Sequence, residues 1–175
     1  MRRIIIIGYM GAGKTTVGRA LAKETGMQFY DLDWYIEARM HKTVPQLFAE
    51  RGEDGFRQVE HNLLHEAAEF EDVIISSGGG TPCFFDNMEY MNAQGDTVYL
   101  KAGPDVLCAH LKMGKVKRPL LEGKSQEELR GFIAGQLAQR EQYYMKAKYV
   151  LDVNLLDNYE KIRTSVARLR EMLSL

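Results

Sequence analysis

The stretch "RIIIIGYMGAGKTTVG" near the N-terminus constrains this chain more than any other. Four consecutive isoleucines, Ile4, Ile5, Ile6 and Ile7, run straight into a loop with glycines at 8, 11 and 13, followed by Lys14, Thr15 and Thr16. A continuous β-branched run predicts a strand buried on both faces, as in a parallel sheet. Gly8 and Gly13, with four residues between them and followed by Lys and Thr, match the phosphate-binding loop. Glycines let the backbone wrap phosphate oxygens with its N–H groups, and a helix beginning at Lys14 adds its N-terminal dipole. In that pattern Lys14 reaches the β- and γ-phosphates and Thr15 gives an oxygen to Mg²⁺. A chance match in a chain this long is expected at roughly 1%, and the strand before and helix after reduce that further. The loop predicts a nucleoside triphosphate as ligand, held by Gly11, Ala12, Gly13, Lys14, Thr15 and Thr16.

Two other nucleotide readings fail on particular residues. Asp31 and Asp33 lie about 20 residues past the glycines, where a dinucleotide fold keeps its ribose-binding acid. The third glycine of that fingerprint is missing, however, and Thr16 stands in its place. A GTPase would carry an Asn-Lys-x-Asp guanine-reading motif, and no such motif occurs.

The rest of the chain alternates. Strands are expected at "MQFYDLD", "VIIS", "DTVYLK" and "YVLDV", with helices near 15–25, 87–93, 104–112, 125–147 and 159–173. Residues 34–70 read as helical and broken twice, with Thr43 and Pro45 opening one helix and Gly52 to Gly55 parting it from the next. Repeated strand–helix alternation predicts an α/β sandwich around a five-stranded parallel sheet. At 175 residues the chain is expected to be one domain. A net charge of −1 points away from nucleic acid and anionic membranes as partners and permits a monomer. The apolar run at the N-terminus is too short for a signal-peptide core or membrane span. Cys83 and Cys108 form no close-spaced metal motif, so a cytoplasmic protein with reduced thiols is expected.

Further motifs are individually weak. The "DLD" aspartates, at alternate positions of a strand end, point the same way toward the ligand crevice, although either could be a helix cap. "FRQVE" sets Arg57 and Glu60 on one helix face, where a surface ion pair would be unremarkable. "KVKRPLL" holds Arg118 in a basic loop, and "REQYY" holds Arg140 near a helix C-terminus, where the dipole favours a cation. "HNLLH" lacks the interior glutamate of a zinc metalloprotease, so His61 and His65 read as helix surface. "SSGGGTP" adds a second glycine run, Gly78, Gly79 and Gly80, behind a strand.

Taken in order and spacing, "GYMGAGKTT", "DLD", "FRQVE", "SSGGGTP", "KRPLL" and "REQYY" resemble the shikimate kinases over nearly the full chain. The resemblance implies a nucleoside monophosphate kinase-like P-loop NTPase fold with a mobile lid at about 112–124 and an acceptor-binding helical segment at about 33–61. It implies ATP- and Mg²⁺-dependent phosphorylation of the shikimate 3-hydroxyl in aromatic amino-acid biosynthesis. Asp33 would meet the ring hydroxyls and serve as base, Arg57 and Arg140 would hold the carboxylate, and the glycine triplet would line the acceptor pocket. Glu60 would orient the arginines, Asp31 would reach Mg²⁺ through water, and Arg118 would contact ATP and stabilise the transferring group with Lys14. Many members carry an arginine over adenine seven residues before the lid arginine; this chain has Leu111 there. A gluconate-type kinase on the same fold is the nearest alternative, and a catalytically silent shikimate- or nucleotide-sensing module is the second.

Overall fold

The computed structural model describes residues 1–113 and 123–175. Among them, five strands form an all-parallel sheet: β1 (Arg3–Ile7), β2 (Gln28–Asp31), β3 (Val73–Ser76), β4 (Asp96–Lys101) and β5 (Tyr149–Asp152), in the order β2-β3-β1-β4-β5. The helices are α1 (Lys14–Thr25), α2 (Leu32–Met40), α3 (Val44–Ala67), α4 (Asn87–Gln94), α5 (Pro104–Met113), α6 (Gln126–Tyr144) and α7 (Tyr159–Leu173). This is the expected α/β architecture.

The isoleucine run becomes the central strand because both its neighbours and both its faces are protein. Ile4, Ile5, Ile6 and Ile7 are each fully buried, an arrangement worth on the order of 1.5–3 kcal/mol per side chain. Being central also places the loop after β1 at the point where connections diverge. The chain leaves β1 across β3 to reach β2, and later crosses β1 to reach β4. Ligands bind at such a switch point, beyond the carboxyl ends of the strands. The second glycine run follows β3, the neighbour of β1, with the Ser77 amide donating to the Ile6 carbonyl at 3.0 Å. The two glycine patches are therefore adjacent by topology.

Local signals set most boundaries. Thr43 caps α3 in a reciprocal box with Gln46, and Pro45 occupies the first turn. Gly52, at φ 70° and ψ −179°, breaks the helical path inside α3, as expected of the glycines there. α6 starts one residue after Ser125, which caps it with Glu128, and ends at Tyr144 rather than near 147. One expectation changes more. β2 stops at Asp31 and Asp33 belongs to the first turn of α2, so the two aspartates do not project from alternate strand positions. Asp31 accepts the Trp34 amide through Oδ1 at 3.2 Å, and satisfying that orphan helix N–H ends the strand early.

Candidate active site

The phosphate loop needs its glycines for backbone shape. Gly11 and Gly13 have φ of 83° and 99°, in the left-handed region that L side chains rarely enter. Lys14 opens α1 and its ammonium donates to the carbonyls of Gly8 and Tyr9, at 2.8 and 2.9 Å, which holds it over the loop. Ala12 lies beneath, fully buried, with its amide donating to the Tyr9 carbonyl at 3.1 Å. Gly11, Gly13, Lys14, Thr15 and Thr16 line one cleft together with Asp31, Asp33, Ser76, Ser77, Gly78 and Gly79.

At one end of that cleft the Thr15 hydroxyl donates to Asp31 Oδ2 at 2.8 Å. Asp31 thus serves as helix cap through one oxygen and as partner of the loop threonine through the other. A hydroxyl and a carboxylate in contact are hard oxygen donors, a set that fits Mg²⁺ and leaves room for its waters.

The glycine triplet is glycine for a different reason. None of Gly78, Gly79 and Gly80 has a positive φ. A methyl group added at Gly80 would lie 2.6 Å from Arg57 Nη2; at Gly78 it would lie 3.3 Å from Asp33 Oδ1 and 3.2 Å from Glu60 Oε2. At Gly79 it would lie 3.4 Å from Arg140 Nη1 and 3.3 Å from the Met10 amide nitrogen of the phosphate loop. Asp33, Arg57, Glu60 and Arg140, spread over more than 100 residues of sequence, converge on three bare residues that abut the first loop.

The Arg57–Glu60 pair is buried, with the two residues 8% and 1% exposed, so it is not the surface pair its spacing would suggest. Arg57 Nη1 donates to Glu60 Oε1 at 3.0 Å, and the other carboxylate oxygen accepts the Thr81 hydroxyl at 2.9 Å. The guanidinium also lies 4.2 Å from the Phe84 ring centroid. Its Nε is buried and has no hydrogen-bond partner among the described residues. A buried donor left unmade costs about 1–3 kcal/mol, which a bound anion would relieve. Arg140, on α6, faces the ring of Tyr9 at 5.8 Å. Tyr144, one turn on, is fully buried and its hydroxyl donates to the Gly79 carbonyl.

Other contributors escaped the sequence reading. Thr81 and Phe84 position Arg57 and Glu60 as described. His110 bridges two loops: Nδ1 lies 2.6 Å from the Gly11 carbonyl and Nε2 accepts the Leu156 amide at 2.8 Å. That pairing fixes a neutral tautomer with the proton on Nδ1. A lone histidine in a helix carries no motif, so nothing short of the tertiary contact could have flagged it. Leu111, beside it, packs against the loop, 2.9 Å from where a Gly11 methyl would sit. Residues 114–122, which include Arg118 and most of the lid expected at about 112–124, lie outside the described residues.

A family model for shikimate kinases matches residues 10–171. The chain belongs to the shikimate kinase family. A shikimate kinase from Phocaeicola vulgatus is 58% identical over 174 residues, covering 99% of each chain. The crystal structure of shikimate kinase from Bacteroides thetaiotaomicron superposes with a TM-score of 0.97 at 53% identity, covering 99% of both chains. The shikimate kinase of Acinetobacter baumannii, solved in complex with shikimate, superposes with a TM-score of 0.85 at 31% identity, over 99% of this chain and 94% of that one. Membership makes this chain a kinase, with two glycine patches side by side at the cleft. No helix among the described residues is long and apolar enough to cross a membrane.

Proposed function

We infer that this protein transfers the γ-phosphoryl group of ATP to the 3-hydroxyl of shikimate, giving shikimate 3-phosphate and ADP for aromatic amino-acid biosynthesis. The observation that carries this reading is the convergence of Asp33, Arg57 and Arg140 on Gly78, Gly79 and Gly80, against the phosphate loop. Shikimate is a compact ring with hydroxyls and one carboxylate, and these residues match it group for group. Arg57, with a buried and unpartnered Nε, would take the carboxylate together with Arg140. A guanidinium fork suits that planar anion better than an ammonium would. Glu60 holds Arg57 in place, since a buried carboxylate on one edge leaves the other edge directed and charged.

Asp33 stands over Gly78, where the reacting hydroxyl would lie, as orienting group and proton acceptor. The hydroxyl oxygen attacks the γ-phosphorus, the bond to the β–γ bridging oxygen breaks, and ADP leaves carrying that electron pair. The hydroxyl proton passes to the Asp33 carboxylate. Little covalent chemistry is asked of the protein, so positioning and charge neutralisation supply most of the acceleration. Lys14 would swing from the Gly8 and Tyr9 carbonyls to the β- and γ-phosphates. Mg²⁺, when bound by Thr15 and, through water, by Asp31, supplies charge neutralisation at the phosphate oxygens. Arg118 would add charge from a lid whose closure excludes water as a competing acceptor.

The test is ADP release in a coupled assay across shikimate, gluconate and the nucleoside monophosphates. Turnover with shikimate alone is expected. Preferred turnover of gluconate would overturn the acceptor assignment, and shikimate binding without ADP release would make the chain a sensor.

A further inference from the structure

We propose that His61, His65 and Asp86 form a binding site for a divalent transition-metal ion, zinc by its donor set, outside the catalytic cleft. One ring nitrogen from each histidine and one carboxylate oxygen of Asp86 lie within 4.8 Å of one another. His61 and His65 stand one turn apart on α3, and Asp86 is the N-cap residue of α4, so the ion would join two helices distant in sequence. The histidines are half-buried rather than the helix surface their motif suggests, with ring centroids 4.4 Å apart.

Both rings are already set for ligation. Asn87 is fully buried, and its Nδ2 donates to the Thr81 carbonyl at 2.9 Å, which turns its Oδ1 toward His61 Nδ1 at 2.7 Å. Nδ1 is therefore the donor in that contact, which leaves Nε2 as the ring nitrogen available to a metal. An outer acceptor that fixes tautomer and ring orientation in this way is the usual companion of a metal-binding histidine. His65 lies flat on Tyr90, with centroids 3.5 Å apart and planes 12° from parallel. Its Nε2 is buried without a hydrogen-bond partner among the described residues, an unmet polar atom that a ligand would satisfy. The Asp86 side chain is exposed and makes no capping bond to α4, which leaves it able to turn inward.

The donor chemistry selects the ion. Two imidazoles and a carboxylate, with a fourth position for water, suit zinc, whereas magnesium prefers an all-oxygen set such as Thr15 and Asp31. Tetrahedral bonds of about 2.0–2.1 Å put ligand atoms about 3.3 Å apart. The cluster thus has to close by at most about 1.5 Å, mostly through rotation of the exposed Asp86. Asn87 also connects the site to the acceptor pocket, since Thr81, whose carbonyl it holds, donates to Glu60, the partner of Arg57.

The experiment uses untagged full-length protein stripped with chelator, in excess Mg²⁺ and without nucleotide. Zn²⁺ is titrated by calorimetry and Co²⁺ by its visible absorption. One equivalent is expected, with a histidine-ligated tetrahedral Co²⁺ spectrum and a melting temperature that rises with Zn²⁺. Asp86→Ala, at an exposed position that leaves the fold intact, should weaken binding at least ten-fold, as should His61→Ala. Absence of binding at millimolar Zn²⁺, or one-equivalent binding unchanged in both variants, would overturn the site.

Discussion

The two glycine patches sit side by side yet are glycine for opposite reasons. In the first, Gly11 and Gly13 occupy left-handed backbone at φ 83° and 99°, so the loop's own path forbids other residues. In the second, the backbone of Gly78, Gly79 and Gly80 is ordinary, and what crowds out a side chain is chiefly Arg57 at Gly80 and Thr81 at Gly78, with Glu60, Asp33, Met10 and Arg140 in tight contact around them. The first is a local device that grips phosphate with main-chain N–H groups wherever a strand delivers it. The second is relational: its meaning lies in residues from α2, α3 and α6. On the proposed roles, donor recognition would be mostly backbone and acceptor recognition mostly side chain.

The sharpest break in that comparison is expected at Asp33, the group proposed to meet the reacting hydroxyl on the acceptor side. Asp33→Asn should lower kcat with shikimate by about 10²–10⁴-fold, the usual contribution of a positioned base, while ATP binding survives. Retention of wild-type kcat would remove both the proton-accepting and the orienting role. Next in size are the arginines. Arg57→Ala and Arg140→Ala should each raise the shikimate KM, because truncating one partner of a desolvated charge pair costs on the order of 2–5 kcal/mol, at least about thirty-fold. Glu60 would then be left buried beside an empty site in the Arg57 variant, so that change should also lower the melting temperature. An equal loss of ATP affinity in either variant would place these cations on the donor side.

A methyl group on each patch tests the contrast directly, with smaller effects of about ten-fold. Gly80→Ala puts a carbon 2.6 Å from Arg57 Nη2 and should displace the guanidinium, raising the KM for shikimate and not for ATP. Gly13→Ala strains a φ of 99° and meets Leu156 Cδ1 at 2.7 Å, and should do the reverse. Steady-state kinetics with each substrate varied in turn separates the two. If both variants lost affinity for the same substrate, the patches would not divide donor from acceptor.

The same contrast explains what could be read from the chain before its fold. The phosphate loop was legible in eight residues because its cause is local, and the flanking strand is a run of isoleucines that only a doubly buried position tolerates. Gly52 and the Thr43 cap were legible for the same reason. "DLD" continues an alternating pattern that places Asp33 at a strand end; the Trp34 amide, which Asp31 caps, puts it in the first turn of α2 instead. Arg57 with Glu60 reads as a surface pair until burial by Phe84, Thr81 and the triplet is known. Single motifs could not convey that convergence, and only their combined order pointed to it. His110 has no sequence signature at all, since both its partners are main-chain groups 99 and 46 residues away.

The smallest expected effect lies at the proposed donor side, at Leu111. Leu111 stands where the family resemblance implies an arginine over adenine, and its side chain packs against Gly11, half-buried on α5. With no guanidinium at this position, adenine would be held more by shape and by main-chain groups, including those near Val153 and Asn154, on the proposed reading. His110 contributes indirectly, tying the Gly11 carbonyl to the Leu156 amide and so joining the phosphate loop to that segment. A cation over an aromatic face is worth roughly 0.5–2 kcal/mol. Leu111→Arg should therefore tighten ATP several-fold and sharpen the preference for ATP over other nucleoside triphosphates, leaving shikimate KM unchanged. Some apolar contact with the loop is lost in the exchange, so the melting temperature has to be followed alongside the kinetics. If the variant keeps its fold and its shikimate kinetics but binds ATP no better, adenine recognition does not pass through this position, and donor binding here is even more a matter of backbone than the two patches imply.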